Sequence, residues 1–353
     1  MKIVVALFNI DTQALQYMSA DQRVREVSNA VERARDYTSS QGTFWTDPSH
    51  LRAIFLAPEY CFARSLPNQK GDHRFGDQRQ MDEDYVRNNL RPVFAKLSLG
   101  FKNALIVPGT VAWRKSIVPA TDGKHGTPQQ AAKYRIGKYT QRLQHSVDMS
   151  VNQEPDLRNT LDTTVFHNNF KRPDDPRASV NTFRDKIALL QKAHYIAKNT
   201  AHCYYNGDEV YKYNKIGDFY EIADPLSANA VNVPNRSTVS GTEVAAGRFS
   251  VAGLTFGISI CYDQSLSVQD SSVEVKSTMP LQWTAGPVLF HILLSARIDP
   301  KAQAANLYDN GYLLSCSSWE SLTTVLDARG SKAKRSTTVK TFPGNLKFYK
   351  VDV

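Results

Sequence analysis

Short, almost wholly apolar runs separated by amphipathic stretches are the feature that most constrains this chain. "MKIVVALFNID" (1–11), "RAIFLAPEY" (52–60), "NALIVPGTVAW" (103–113), "GPVLFHILLSA" (286–296) and "GYLLSCSS" (311–318) read as strands, with apolar residues on both alternating faces. Such strands must be covered on both sides. The covering material is legible between them. Val24, Val27, Val31 and Ala34 recur at helical spacing over 21–39. Residues 81–98 repeat the pattern through Tyr85, Val86, Leu90, Val93, Phe94 and Leu97, with Pro92 predicting a break or restart. The alternation predicts a layered α/β fold with buried sheets.

The second half continues in kind. "NTAHCYYN" (199–206) and "EVYKYNK" (209–215) read as a hairpin turning at Asn206–Gly207, and 247–263 as a second hairpin turning at Ala252–Gly253. Residues 300–310 read as a short helix opened by Pro300, and "ESLTTVLD" and "NLKFYKVDV" as further strands. Residues 114–198 break the rhythm. They are polar, and only "VNTFRDKIALLQKAHYIAKN" is periodic, placing Phe183, Ile187, Leu190 and Ile196 on a helix face. We read 1–353 as one domain with an insertion at about 114–198.

Charge follows the same division. The insertion holds 15 Lys and Arg against 8 Asp and Glu, hence most of the chain's net charge of +9. A nucleic-acid surface would need aromatics interleaved with the charges in a defined module, and no RRM, KH or zinc-finger pattern appears, so a solvated face is expected and a nucleic-acid partner is not. No apolar run approaches the roughly 20 residues needed to span a bilayer. Four scattered cysteines (Cys61, Cys203, Cys261, Cys316) form no CxxC pair and no zinc spacing, which fits reduced thiols in a cytoplasmic compartment.

Three polar residues of complementary chemistry each close a strand: Glu59 after "AIFLAP", Lys215 after "VYKYN" and Cys261 after "TFGISI". Strand carboxyl ends are where α/β folds assemble sites. A thiol needs a base or a cation beside it to act as a nucleophile. A glutamate can take its proton, and a lysine can stabilise a thiolate and then an oxyanion. The competing pairing of Cys261 with His202 or His291, as in a cysteine protease, leaves the glutamate and lysine unexplained. Cys203 and Cys316 read as core residues and Cys61 as packing beside Glu59.

"FLAPEY", "GDEVYKYNKI" and "FGISICYD", in that order, resemble the three catalytic segments of the nitrilase, or carbon–nitrogen hydrolase, superfamily. "LIVPGT", the "N-x-A … Y-x-K" hairpin and "FHILLSAR … NLYDNGYLLSCSS" resemble its other strands. The resemblance excludes about 114–198 and the last twenty or so residues. It implies a four-layer αββα sandwich and a homo-oligomeric hydrolase acting on a small amide or nitrile without metal or cofactor. Glu59 would be the base, Lys215 the oxyanion partner with the N–H of Tyr262, and Cys261 the nucleophile. Tyr60 and Tyr262 flank these positions as substrate contacts or as packing. Glu221, or more distantly Glu243, stands where relatives carry an assisting glutamate. "C-Y-D" resembles the amidases, nitrile-cleaving relatives commonly showing C-W-E; nitrilase, N-acyltransferase and a silent binding protein using the basic insertion are the alternatives. Gln264-Ser265-Leu266 departs from the R-F-P-E-like segment that shapes many amidase pockets, so their substrates do not carry over.

Overall fold

The computed structural model describes residues 2–11, 15, 18–41, 50–63, 81–117, 127, 129–130, 132–137, 194–215, 230–232, 247–261, 286–296, 298–302, 305–340 and 344–353. In chain order its elements begin with β1 (Lys2–Ile10), α1 (Ala20–Ser40), β2 (Ala53–Leu56) and β3 (Met81–Asp82). Then come α2 (Glu83–Tyr85), a π turn (Val86–Leu90), α3 (Arg91–Gly100), β4 (Ala104–Val107) and β5 (Thr110–Ser116). β6 (Tyr195–Tyr205), β7 (Asp208–Asn214), β8 (Ala230–Asn232), β9 (Arg248–Val251) and β10 (Leu254–Ile260) follow. β11 (Val288–Ser295), β12 (Leu307–Ser317), β13 (Thr324–Asp327), β14 (Arg335–Lys340) and β15 (Gly344–Asp352) complete the series.

The strands form two sheets. One runs β14-β15-β1-β2-β4-β6-β5-β3, with β7 and β8 also on β6; the other runs β13-β12-β11-β10-β9. Strand alternation gives each strand of the first sheet two jobs. Val5, Leu7, Ile54, Leu56, Leu105 and Val107 face the second sheet's Phe256, Ile258, Ile260, Phe290, Ile292 and Leu294. Val4, Ala6, Phe8, Phe55 and Ile106 face Val27, Ala30, Val31 and Ala34 of α1 and Phe94 of α3. Each fully buried Phe, Ile or Leu contributes roughly 1.5–3 kcal/mol. Among the described residues the result is an α/β sandwich of one helical layer and two sheets. A helical layer over the outer face of the second sheet would fall outside the described residues.

Local chemistry explains the boundaries. Ser19 caps α1, accepting from the Gln22 N–H at 3.2 Å while the Gln22 side chain accepts from the Ser19 N–H at 2.7 Å. Pro92, with no N–H to donate, sits in the first turn of α3, and the π turn lies directly before it. Asn206 (φ 50) with Gly207 (φ 98), and Ala252 (φ 49) with Gly253 (φ 77), make the two predicted hairpin turns.

Three expectations are corrected. The run 103–113 is two strands, because Pro108 and Gly109 interrupt it. The helix ending at 199 gives way at its described end to β6, where Tyr195 to Ala201 pair with Ser116 to Thr110 of β5, so Ile196 lies on a strand. Leu307 to Asn310, expected as the end of a helix, open β12, with Leu307 paired to Val288. In both of the last two cases pairing with a neighbouring strand overrides a weak local preference. Arg114 to Ser116 and Tyr195 to Lys198 therefore belong to the sheet, and the segment between them leaves and re-enters it at adjacent positions, with Ile117 donating to His194 O at 2.8 Å. Most of the insertion, including Phe183, Ile187 and Leu190, lies outside the described residues. No helix among the described residues is long and apolar enough to cross a membrane.

Candidate active site

Pro58 ends β2, and the following loop is fastened to its neighbours by its backbone. Ala57 N–H donates to Val107 O (3.0 Å), Thr110 N–H to Pro58 O (3.3 Å), and Phe62 N–H to Thr110 O (3.1 Å). Tyr60 N–H donates to Thr110 Oγ1 at 2.9 Å. Gly109 makes the close fit possible. Its φ is +94°, and a Cβ there would stand 2.5 Å from Pro58 O and 2.8 Å from Cys61 Sγ. Tyr60 adopts φ 62, a left-handed conformation that a bulky residue keeps only when its surroundings impose it. Glu59, between Pro58 and Tyr60, is fully buried.

Lys215 follows β7 and reaches the same place from the adjoining hairpin. Its Nζ donates to Glu59 Oε1 at 3.0 Å, with side-chain exposures of 1% for Lys215 and 0% for Glu59. Asn199 on β6 holds both partners. Its Nδ2 donates to Glu59 Oε1 at 2.8 Å and its carbonyl accepts from the Lys215 N–H at 2.9 Å. Behind it, Trp113 Nε1 donates to Thr200 Oγ1 and Thr200 Oγ1 to Asn214 Oδ1, each at 2.8 Å, tying β5, β6 and β7 together. Sequence reasoning gave Asn199 no role, although it is the N of the "N-x-A" segment.

Cys261 follows β10 in the second sheet. Phe256, Ile258 and Ile260 point between the sheets, so strict alternation would turn residue 261 to the outer face. A φ of +49° breaks the alternation, and Cys261 packs against the same inter-sheet cluster. Registers place it along the sandwich. Ile260 pairs with Leu294, and Leu294 with Cys316, whose Sγ lies 3.4 Å from Leu56 O and 3.5 Å from Phe8 O. Tyr60 meets Ala296, just beyond β11, in a small buried cluster. The carboxyl ends of β1, β2, β10, β11 and β12 thus gather at one end of the molecule. The structure brings Glu59 and Lys215 into contact and puts Cys261 at that same end.

The four thiols differ in surroundings. Cys61, Cys203 and Cys316 are fully buried, and burial pushes all three thiols up; Cys261 is partly exposed. Tyr60 is 3% exposed and belongs to a small buried cluster with Ala63, Ala112 and Ala296. Tyr262, Glu221, Glu243 and Gln264-Ser265-Leu266 lie outside the described residues. No cluster of three or more His, Cys, Asp or Glu that could hold a metal occurs among the described residues.

Both histidines considered for Cys261 are engaged elsewhere. His202 points to the helical side of its sheet, with Nδ1 3.2 Å from Glu209 Oε1, while Arg91 donates to Glu209 Oε2 at 2.7 Å. His291 pairs through Nε2 with Ser259 Oγ at 2.5 Å, and a Cβ on Gly257 would lie 2.6 Å from its Nδ1. Burial lowers His291 from 6.5 to about 4. The unfolded chain therefore binds this proton before the folded one does. The stabilisation is complete above pH 6.5 and is lost as pH falls toward 4, by about 3 kcal/mol in all. Urea unfolding at pH 7 and pH 4.5 is expected to show this loss in the wild type and its removal in His291→Gln; an unchanged difference would refute it.

No protein-family profile and no curated protein matches the chain in sequence. Among solved structures, it is similar to a carbon–nitrogen hydrolase from Helicobacter pylori G27, at 10% identity and TM-score 0.45, covering 99% of this chain and 89% of that one. It is similar to a double mutant of the amidase from Nesterenkonia sp. AN1 in complex with acrylamide, at 9% identity and TM-score 0.42, covering 99% and 90%. A glutamine-dependent NAD+ synthetase from Acinetobacter baumannii is similar at 11% identity and TM-score 0.42, over 100% of this chain and 46% of that one.

Proposed function

We propose that this end of the sandwich is the active site of a thiol-dependent hydrolase. The reading is carried by the Glu59–Lys215 pair, at 3.0 Å and with almost no exposure. Desolvating two such charges costs several kcal/mol per ion, and apolar residues of similar volume often serve stability as well or better. A buried pair at the same end of the sandwich as a partly exposed thiol in a left-handed turn fits chemistry more readily than packing. More particularly, we read the chain as a nitrilase-superfamily carbon–nitrogen hydrolase of the amidase type, one hydrolase domain interrupted between Ser116 and Tyr195.

In this mechanism Glu59 takes the Cys261 proton and the thiolate attacks the amide carbon, forming a C–S bond. The carbonyl electrons move onto oxygen, where the Lys215 ammonium stabilises them. Collapse breaks the C–N bond, and the leaving nitrogen takes the proton from Glu59 and departs as ammonia or an amine. Glu59 then deprotonates water, which attacks the thioester. The C–S bond breaks, Cys261 regains a proton, and the acid is released. Asn199 keeps Glu59 oriented throughout.

Ammonia release from a panel of small amides and nitriles tests the proposal. Turnover of amides is expected, with Cys261→Ala lowering kcat by more than ~10³-fold. Turnover that survives this change, or its absence from every amide and nitrile, would overturn it.

A further inference from the structure

Asn199 carries one polar atom that neither the fold nor the mechanism above employs. Its Nδ2 donates to Glu59 Oε1 at 2.8 Å, and a carboxylate only accepts, so the far end of the side-chain amide is Oδ1. Asn199 is 0% exposed, and Oδ1 has no hydrogen-bond partner among the described residues. Bulk water does not reach it either. Most buried polar atoms are paired, so an acceptor left in this state calls for a reason. Its position supplies one. Asn199, Ala201 and Cys203 alternate along β6 and share a face, the one that lies between the two sheets. Cys261 packs against that same inter-sheet cluster from the other sheet.

The bond lengths of an amide group put Oδ1 about 4–5 Å from Glu59 Oε1. A nitrogen placed to take the Glu59 proton is therefore within its reach. Oδ1 can only accept, and the polar hydrogens of a substrate amide are those on the nitrogen that leaves. We propose that Asn199 Oδ1 accepts an N–H of the scissile nitrogen and so selects amides bearing an N–H over nitriles and esters, which have none to give. This rests on the hydrolase reading above and adds a substrate contact to the orienting bond from Nδ2. On collapse the C–N bond breaks, its electron pair stays with nitrogen, and the proton on Glu59 passes to that nitrogen while the N–H on Oδ1 stays in place. Ammonia or an amine departs. A substrate without the N–H leaves Oδ1 buried and unpaired, which is how a polar site rejects an isostere.

Butanamide and 2-pentanone test it, because the ketone keeps the carbonyl and puts a methyl group where the amide has its NH2. In NMR titrations of the Cys261→Ala protein, where no covalent step intervenes, butanamide is expected to bind at least about tenfold more tightly. The ketone is the more apolar of the two, so desolvation alone would give the opposite order. Equal or tighter binding of the ketone overturns the inference, whatever becomes of variants at position 199. Adding Asn199→Ala is expected to cut the ratio at least about fivefold. A ratio it leaves within about twofold means that Asn199 only orients Glu59 or holds the attacking water, and also overturns the inference. Turnover of amides by the wild type without a binding preference refutes the N–H contact and leaves the hydrolase reading standing. A preference abolished by Asn199→Ala, without turnover of any amide by the wild type, upholds the contact and refutes the hydrolase reading.

Discussion

Iodoacetamide is expected to alkylate Cys261 and to leave Cys61, Cys203 and Cys316 unmodified in the native protein, and Cys261→Ala is expected to abolish the adduct. Three of the four thiols are fully buried, and burial disfavours their thiolates. Alkylation requires both access and the thiolate. Cys261 has access, and its backbone conformation turns it to the inter-sheet side, at the end of the sandwich that also carries Glu59 and Lys215. Peptide mapping after brief treatment at neutral pH should show a difference of more than ~10²-fold between Cys261 and each of the others. Cys61 is the informative control, because it is two residues from Glu59 yet sealed beneath Gly109. Labelling confined to Cys61 would mean that the reactive thiol had been misassigned.

The sequence makes some features of this site plain and hides others. β1, β2 and β11 are legible because their partners cover both faces, and α1 because one of its faces is buried, so apolar residues repeat at strand or helix period. Both hairpins are legible because their turns need particular residues. Glu59, Lys215 and Cys261 stand out because a polar residue at the end of an apolar run has no packing reason to be there. What is hidden depends on residues far along the chain. β14, "RSTTVK", is an edge strand with little apolar patterning, and β15 finds its place by pairing Asp352 through Gly344 with Lys2 through Ile10. Neither was covered by the family resemblance, yet β15 sits beside β1 in the sheet that carries Glu59. The positive φ of Cys261 is invisible for the same reason, since tertiary packing imposes it. Asn199 was hidden differently: an asparagine in a strand-like run says nothing until the fold places a carboxylate 2.8 Å away.

Replacing Lys215 by methionine is expected to destabilise the fold by about 3–5 kcal/mol, the cost of leaving one partner of a buried ion pair without its counter-charge. Methionine keeps most of the volume, so little of the loss comes from a cavity. Asn199 still donates to Glu59 Oε1, but a neutral amide does not balance a carboxylate with 0% exposure. Joining Lys215→Met to Glu59→Gln removes both charges, and the double variant is expected to recover most of the lost stability. Its activity is not expected to return, because it has neither base nor oxyanion partner. Urea unfolding of the four proteins in the cycle measures the coupling directly. If Lys215→Met cost less than about 1 kcal/mol, the pair would behave as a surface bridge does and its burial would lose its meaning. If the double variant regained turnover with stability, the two charges would serve the fold alone. Lost activity with restored folding is the outcome that separates a site from a strut.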